Sequence, residues 1–228
     1  EWFQAPYVGL MHDFQVTKSH VIFPVWPITA DLERIKAGGA HWVWEPQQDT
    51  WIGVMPRGGS VKQMRWFRGP PQSAFHFMNA WSEGDKVHMD FSVSNYPPFP
   101  FIHEASGLKI APQDMGGKLV RWTFDLAGNQ DRWSETVLGP GGDMPRIADR
   151  DAMRDYEIGY YQTYDPRNGP PNIAGPVGAG FNTILRINVK TGELKSLGLG
   201  PRVTVQEHIH IPSKTKGHEG WLAFVCDL

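Results

Sequence analysis

Several features that would restrict the function of this protein are scarce or missing. The chain has one cysteine, Cys226, so no internal disulfide can form, and the count is consistent with a reducing compartment. Its 22 Lys and Arg against 24 Asp and Glu leave a net charge of −2, without the basic excess typical of nucleic-acid binding. We find no signal peptide and no run of about 18 apolar residues. These absences predict a cytoplasmic protein with no integral membrane segment and no nucleic-acid partner.

Helices and several common catalytic motifs are also scarce. The best helical segment is Thr29–Ala37, with Thr29 as its predicted cap and Gly38 as its end, and a second short turn is predicted near Asp149–Tyr156. The Gly141-Gly142 pair lacks the flanking strand and helix of a phosphate-binding loop. No Ser or Cys lies in a nucleophile elbow.

Turn residues and alternating strands dominate what is present. The chain has 25 Gly, 19 Pro and 10 Trp, and Gly-containing turns separate short alternating segments. The predicted hairpins pair Trp51–Met55 with Val61–Phe67, Phe75–Trp81 with Lys86–Val93, Lys118–Leu126 with Arg132–Leu138, Thr183–Val189 with Glu193–Leu199, and Val203–Ile211 with Trp221–Leu228. This pattern predicts an all-β fold, and periodicity alone leaves a propeller, a sandwich and a barrel open.

Histidine is the residue type that points to chemistry. Of the nine histidines, His12 and His76 each precede an apolar strand and follow a loop. In a propeller, side chains at such positions converge on the central axis from separate blades. Neutral imidazoles suit a divalent iron and leave coordination positions open for O2. We therefore single out His12 and His76 as candidate metal ligands.

Several motifs in one order make the sequence resemble the carotenoid cleavage oxygenase family, and within it the lignostilbene dioxygenase branch. His12-Asp13-Phe14 with the apolar strand after it is similar to the second histidine motif of that family, and Phe75-His76 with Met78-Asn79-Ala80 to the third. The spacing of 64 residues between the two histidines suits the family. Further similar segments lie between and after them, namely Lys36–Gly39, Ile52–Arg57, Arg65–Phe67, Val87–Asp90, Arg121–Thr123 and Pro145–Ile147.

The resemblance implies a fold and a domain assignment. Members of the family form a seven-bladed β-propeller with Fe(II) on its axis, held by four histidines. The first and fourth histidine motifs have no counterpart in residues 1–228. We therefore expect residues 1–228 to be part of a single propeller domain truncated at both ends, a partial seven-bladed propeller built of antiparallel hairpins.

The resemblance also implies residues that orient the ligands. Family members hold three histidine rings through acidic side chains, which fix the tautomer and the ring orientation. Asp143 falls where the family usually has Glu, and Glu207 matches another of these acids. The alternative for Asp143 is a carboxylate that caps a loop.

One further pair of histidines and one pair of phenylalanines are also candidates for a site. His208 and His210 alternate onto one face of a predicted strand, opposite Glu207, and could form a different metal site. Phe99 and Phe101 could line a tunnel for an apolar substrate, or pack between blades instead.

The implied activity is oxidative cleavage of an alkene double bond to two carbonyl products by an Fe(II)-dependent dioxygenase. The substrate would be a stilbenoid or phenylpropanoid, or a carotenoid or apocarotenoid, with O2 as co-substrate. By itself the segment is expected to be inactive. Two alternatives stay open: a catalytically inactive β-propeller binding module or fragment, and a different metal enzyme built around His208 and His210. The oligomeric state does not follow from the sequence.

Overall fold

The structure, a computed structural model, describes residues 1–97, 99, 101–109, 116–171, 180–215 and 217–227. It consists mainly of antiparallel strands that form four sheets. The strands are β1 (Gly9–Leu10), β2 (Gln15–Val16), β3 (His20–Thr29), β4 (Val43–Trp44), β5 (Thr50–Pro56), β6 (Arg65–Gly69), β7 (Phe77–Glu83), β8 (Lys86–Ser94), β9 (His103–Glu104), β10 (Gly117–Asp125), β11 (Ser134–Pro140), β12 (Asp143–Ile147), β13 (Ile158–Thr163), β14 (Thr183–Asn188), β15 (Leu194–Gly198), β16 (Thr204–Pro212) and β17 (Gly220–Asp227).

The sheets follow one another along the chain. The first has the order β6-β5-β3-β4-β9, with β1 and β2 paired to β3. The second is β11-β10-β8-β7, the third is β12-β13-β14-β15, and the fourth is the hairpin β16-β17. All five predicted hairpins are present, with the β5–β6 connection containing a short 3-10 turn at Val61–Gln63. The prediction of an all-β chain of antiparallel hairpins is therefore confirmed.

Consecutive sheets pack face to face through separate apolar clusters. Trp26 and Phe67 of the first sheet pack with Phe91 and Trp122 of the second in one cluster, and all four side chains are fully buried. A second cluster joins the second sheet to the third. These two clusters bury the first three sheets against one another, whereas the β16-β17 hairpin leaves Ile209, Ile211 and Trp221 exposed.

A buried polar network also connects the second and third sheets. The Asp90 carboxylate accepts two hydrogen bonds from the Arg121 guanidinium, each at 2.8 Å, and a third at 2.8 Å from the Tyr156 hydroxyl. Asp90 is completely buried, so these donors replace the water that the carboxylate loses on folding. The network fixes β8 and β10 relative to the segment that precedes β13.

The predicted helix is present but shorter than expected. It spans Leu32–Lys36, and Asp31 caps it by accepting a hydrogen bond from the backbone N–H of Arg34. The prediction of Thr29 as the cap was wrong, because Thr29 ends strand β3 and its hydroxyl donates to the Glu45 carboxylate at 2.6 Å. Gly38 ends the helix as predicted, with a φ of +80° that favours glycine.

Two further 3-10 turns, Asp149–Asp151 and Pro166–Asn168, flank the third sheet, and the first of them lies in the predicted turn region. Within the described ranges, no helix has the length and apolar composition needed to cross a bilayer.

Candidate metal centre

His12 and His76 lie 64 residues apart in the sequence and meet in space. His12 is in the loop between β1 and β2, and His76 immediately precedes β7. Their Nε2 atoms are 3.3 Å apart, and the two rings are nearly perpendicular, with centroids 5.0 Å apart. Two imidazole nitrogens that face each other in this way can direct their lone pairs at one shared cation.

Asp143 holds the other nitrogen of the His76 ring. Its Oδ1 lies 3.0 Å from His76 Nδ1 and also accepts a hydrogen bond of 2.8 Å from the backbone N–H of Met144. A carboxylate at Nδ1 favours the tautomer that carries its proton there, which leaves the Nε2 lone pair free for a metal. The same hydrogen bond raises the pKa of His76 above its usual value.

The backbone around Asp143 departs from a regular strand. The pairing of β12 with β13 is irregular between Asp143 and Arg146, and Met144 has a φ of +52°. A non-glycine residue in the left-handed region costs about 1 kcal/mol. This irregular backbone places the short Asp143 side chain in direct contact with His76, at a position where the resemblance leads one to expect the longer Glu.

The two imidazoles of His12 and His76 are compatible with Fe(II) as the bound metal. Neutral imidazole is a common iron ligand, and His76 has the carboxylate partner that typically orients such a ligand. No group of three or more potential ligands occurs among the residues that the structure describes. His12 and His76 could supply two imidazole donors to one metal ion.

Glu207 lies on β16 with its carboxylate 3.1 Å from Arg146 Nη2, in an ion pair in which both side chains are at least half exposed. No histidine ring of the described ranges contacts it. Its negative charge is a minor contribution to the raised pKa of His76, after that of Asp143.

His208 and His210 have separate environments. His208 is completely buried, with Nδ1 3.0 Å from Gln162 Nε2 and with no hydrogen-bond partner at Nε2. Burial lowers its pKa to about 4. The His210 ring stacks on Tyr160, with centroids 5.6 Å apart. From Glu207 to Ile211, exposed residues alternate with the more buried His208 and His210, so the predicted opposition of Glu207 to the two rings is confirmed over this part of the strand.

The aromatic residues form a wall beside the histidine pair. Phe99 and Phe101 stack with centroids 5.1 Å apart, and Phe101 is 56% exposed. Phe99 meets the edge of Phe75 at 4.5 Å. Phe75 in turn stacks on His12 at 3.9 Å. In the sequence, Phe75 appears only as part of the Phe75-His76 motif, as an aromatic residue directly before a candidate ligand, and that signal predicts no role of its own for it.

A separate cavity of about 360 Å³ lies between the third and fourth sheets. It is lined by Tyr160, His210, Glu219 and several charged residues, including Arg150 and Asp155. None of the six residues predicted to form the site lines it.

Comparisons with known proteins agree with this architecture. The family model described as retinal pigment epithelial membrane protein matches residues 1–227. An isoeugenol monooxygenase of Pseudomonas putida is 40% identical over 167 residues, which cover 73% of this chain and 35% of the relative. Lignostilbene-alpha,beta-dioxygenase isozyme III of Sphingomonas paucimobilis is 32% identical and is matched over 96% of this chain and 46% of its own length.

A solved structure gives the same result. The crystal structure of Pseudomonas brassicacearum lignostilbene dioxygenase matches 99% of this chain and 48% of its own chain, with a TM-score of 0.89 and 36% identity. The chain thus spans less than half the length of these relatives. Its four consecutive sheets correspond to part of a β-propeller, as predicted. From the family match over nearly its whole length, the chain belongs to the family of retinal pigment epithelial membrane protein, the carotenoid cleavage oxygenases.

Proposed function

We propose that the protein containing this chain is a non-haem Fe(II)-dependent dioxygenase that cleaves an alkene double bond to two carbonyl products. The observation that carries the proposal is the pair of facing Nε2 atoms of His12 and His76, with Asp143 on the far side of the His76 ring. Residues 1–228 would form part of one propeller domain that continues beyond both ends of the chain.

The geometry supports a role for His12, His76 and Asp143, and the family resemblance supports one for Glu207. When bound, Fe(II) would supply the activation of O2 next to the double bond. His12 and His76 would bind the metal through Nε2, and Asp143 would keep the proton of His76 on Nδ1. Glu207 would orient a histidine ring contributed from outside this chain, as the family resemblance implies.

Phe99 and Phe101 would form an apolar wall for the substrate. Stacked phenyl rings offer flat apolar surface to an extended conjugated molecule and keep water away from it. The isoeugenol and lignostilbene relatives described above are named for phenolic alkenes, which supports a phenylpropanoid or stilbenoid substrate over a carotenoid or apocarotenoid. The single cysteine supports a reducing compartment such as the cytoplasm.

The test uses the full-length protein, loaded with Fe(II) under anaerobic conditions. Isoeugenol, a hydroxystilbene and an apocarotenal are supplied separately with labelled ¹⁸O2, and the carbonyl products are analysed by mass spectrometry. We expect cleavage of a phenolic alkene with label in both products. His12→Ala and His76→Ala should each lose bound iron and activity. His41→Ala is the matched control, because His41 is exposed and its ring stacks only on Trp42.

Two outcomes would contradict the proposal. Iron content and activity at the wild-type level in either ligand variant would remove the histidine pair from the metal site. A wild-type protein that binds an alkene without consuming O2, when loaded with iron, would favour the alternative of an inactive propeller binding module.

A further inference from the structure

The two histidines of the candidate metal centre are supported differently. His76 is half-buried and has the Asp143 carboxylate at Nδ1. His12 is exposed, and no carboxylate of the described ranges contacts its ring. Among the described residues, the plane of the His12 ring is held by an aromatic contact instead.

Phe75 provides that contact. Its ring lies parallel to the His12 ring, with centroids 3.9 Å apart and an angle of 16° between the planes. The backbone connects Phe75 directly to His76, and the Phe75 ring meets the His76 ring edge-on at 5.2 Å. One phenyl ring therefore contacts both histidines of the centre.

Phe75 is itself held from its other side. Phe99 packs edge-to-face against it at 4.5 Å and an angle of 88°, and Phe101 stacks on Phe99 at an angle of 11°. The rings of Phe101, Phe99, Phe75 and His12 thus form a continuous series of aromatic contacts. The wall that we assign to the substrate and the ring that we assign to the metal are parts of one packed unit.

We propose that Phe75 is a positioning residue that sets the plane of the His12 ring and so directs His12 Nε2 toward the metal. The inference rests on the proposed function, because it assumes that His12 is a ligand. Stacking of two aromatic rings contributes enough to change the affinity of a ligand-bound metal about 3- to 10-fold.

The experiment measures binding of Co(II) to the full-length protein, without substrate and without turnover. Phe75→Leu removes the ring and keeps an apolar side chain, and Phe75→Tyr keeps the ring. We expect Phe75→Leu to raise the Kd of Co(II) about 3- to 10-fold and to change its visible absorption bands, because His12 is no longer held in one plane. Phe75→Tyr should keep the wild-type Kd and the wild-type bands.

Phe14→Leu is the matched control. Phe14 lies on the same loop as His12 and stacks on Phe23 rather than on either histidine. This variant should keep the wild-type Kd and the wild-type bands. If Phe75→Leu does not fold, the NMR signals of the His12 ring in the wild-type apoprotein test the stacking instead. Stacking on Phe75 should shift these signals upfield. His12→Ala identifies those signals by their loss.

The results separate failure of this inference from failure of the proposed function. If His12→Ala still binds Co(II) as wild type does, the metal site itself is wrongly assigned. If His12→Ala loses Co(II) but Phe75→Leu keeps the wild-type Kd and bands, only the role of Phe75 is refuted. An unshifted His12 ring signal in the wild-type apoprotein would refute it as well.

Discussion

The chain contains two pairs of histidines that the sequence offers as metal ligands, and the structure gives the two pairs different surroundings. His12 and His76 come from separate sheets, face each other through Nε2, and lie at the ends of strands. His208 and His210 share strand β16, and their rings contact Gln162 and Tyr160 separately. Proximity in sequence is thus the weaker guide to a metal site. Facing nitrogens and a carboxylate partner distinguish the first pair, whereas burial and stacking give the second pair a role in packing.

The largest expected effect concerns the pH dependence of stability through His208. Burial lowers its folded-state pKa to about 4, against an ordinary value of 6.5. The neutral ring therefore contributes stability that is fully present above pH 6.5 and is lost as the pH falls toward 4. The loss amounts to about 3 kcal/mol. We expect the urea midpoint of the apoprotein to fall across this window.

His208→Gln should flatten that part of the pH profile, because its amide does not titrate and can still pair with Gln162. Ile209→Gln is the control, since Ile209 is the exposed neighbour on the same strand and receives the same new side chain. Identical pH profiles for wild type and His208→Gln would show that His208 is not held neutral by burial.

The second prediction concerns the carboxylate that distinguishes the first pair. Asp143→Asn should weaken metal binding by the full-length protein roughly 10- to 100-fold, because the amide no longer holds the His76 tautomer as strongly. The Kd is measured by competition with a chelator. Asp149→Asn is the control, because Asp149 is exposed on a nearby turn. Equal affinities for the two variants would contradict the role of Asp143.

The smallest expected effect is a gain in stability, and it concerns His210. Its Nδ1 is buried and has no hydrogen-bond partner among the described residues, and its ring stacks on Tyr160. His210→Phe keeps the stacking and removes the unpaired nitrogen, so we expect a gain of about 0.5–1 kcal/mol in the free energy of unfolding. Urea unfolding of the apoprotein measures it, with His210→Ala as the destabilised comparison. A loss of metal in His210→Phe would instead revive the second pair as a site.

Local chemistry in the sequence was enough to predict the strands of the five hairpins, but not short strands such as β1 and β9 or the pair β12 and β13. Gly-containing turns and alternating apolar residues mark all five hairpins, because both signals depend on near neighbours. The start of the helix was missed because Thr29 and Asp31 are both good caps, and the extension of β3 through Thr29 decides between them. That extension depends on pairing with β4, which local propensity does not contain.

The candidate site required information that the spacing of residues does not hold. The contact of His76 with Asp143 spans 67 residues, and the family resemblance was the only reason to expect it. The stacking of Phe75 on His12 spans two sheets and had no comparable signal. The lowered pKa of His208 also depends on burial against β13, because the same residue on an exposed strand would keep its ordinary pKa.

The left-handed backbone at Met144 has a consequence for how this region can change by mutation. Glycine or asparagine at position 144 would relieve the unfavourable φ of +52°, and either would be favoured if stability alone were selected. The backbone N–H of residue 144 also donates to the Asp143 oxygen that contacts His76. Glycine would keep this N–H but would hold it in a less fixed conformation. A more flexible residue there would stabilise the fold but would hold the Asp143 carboxylate less firmly against His76. Stability and function therefore make opposite demands on this one position.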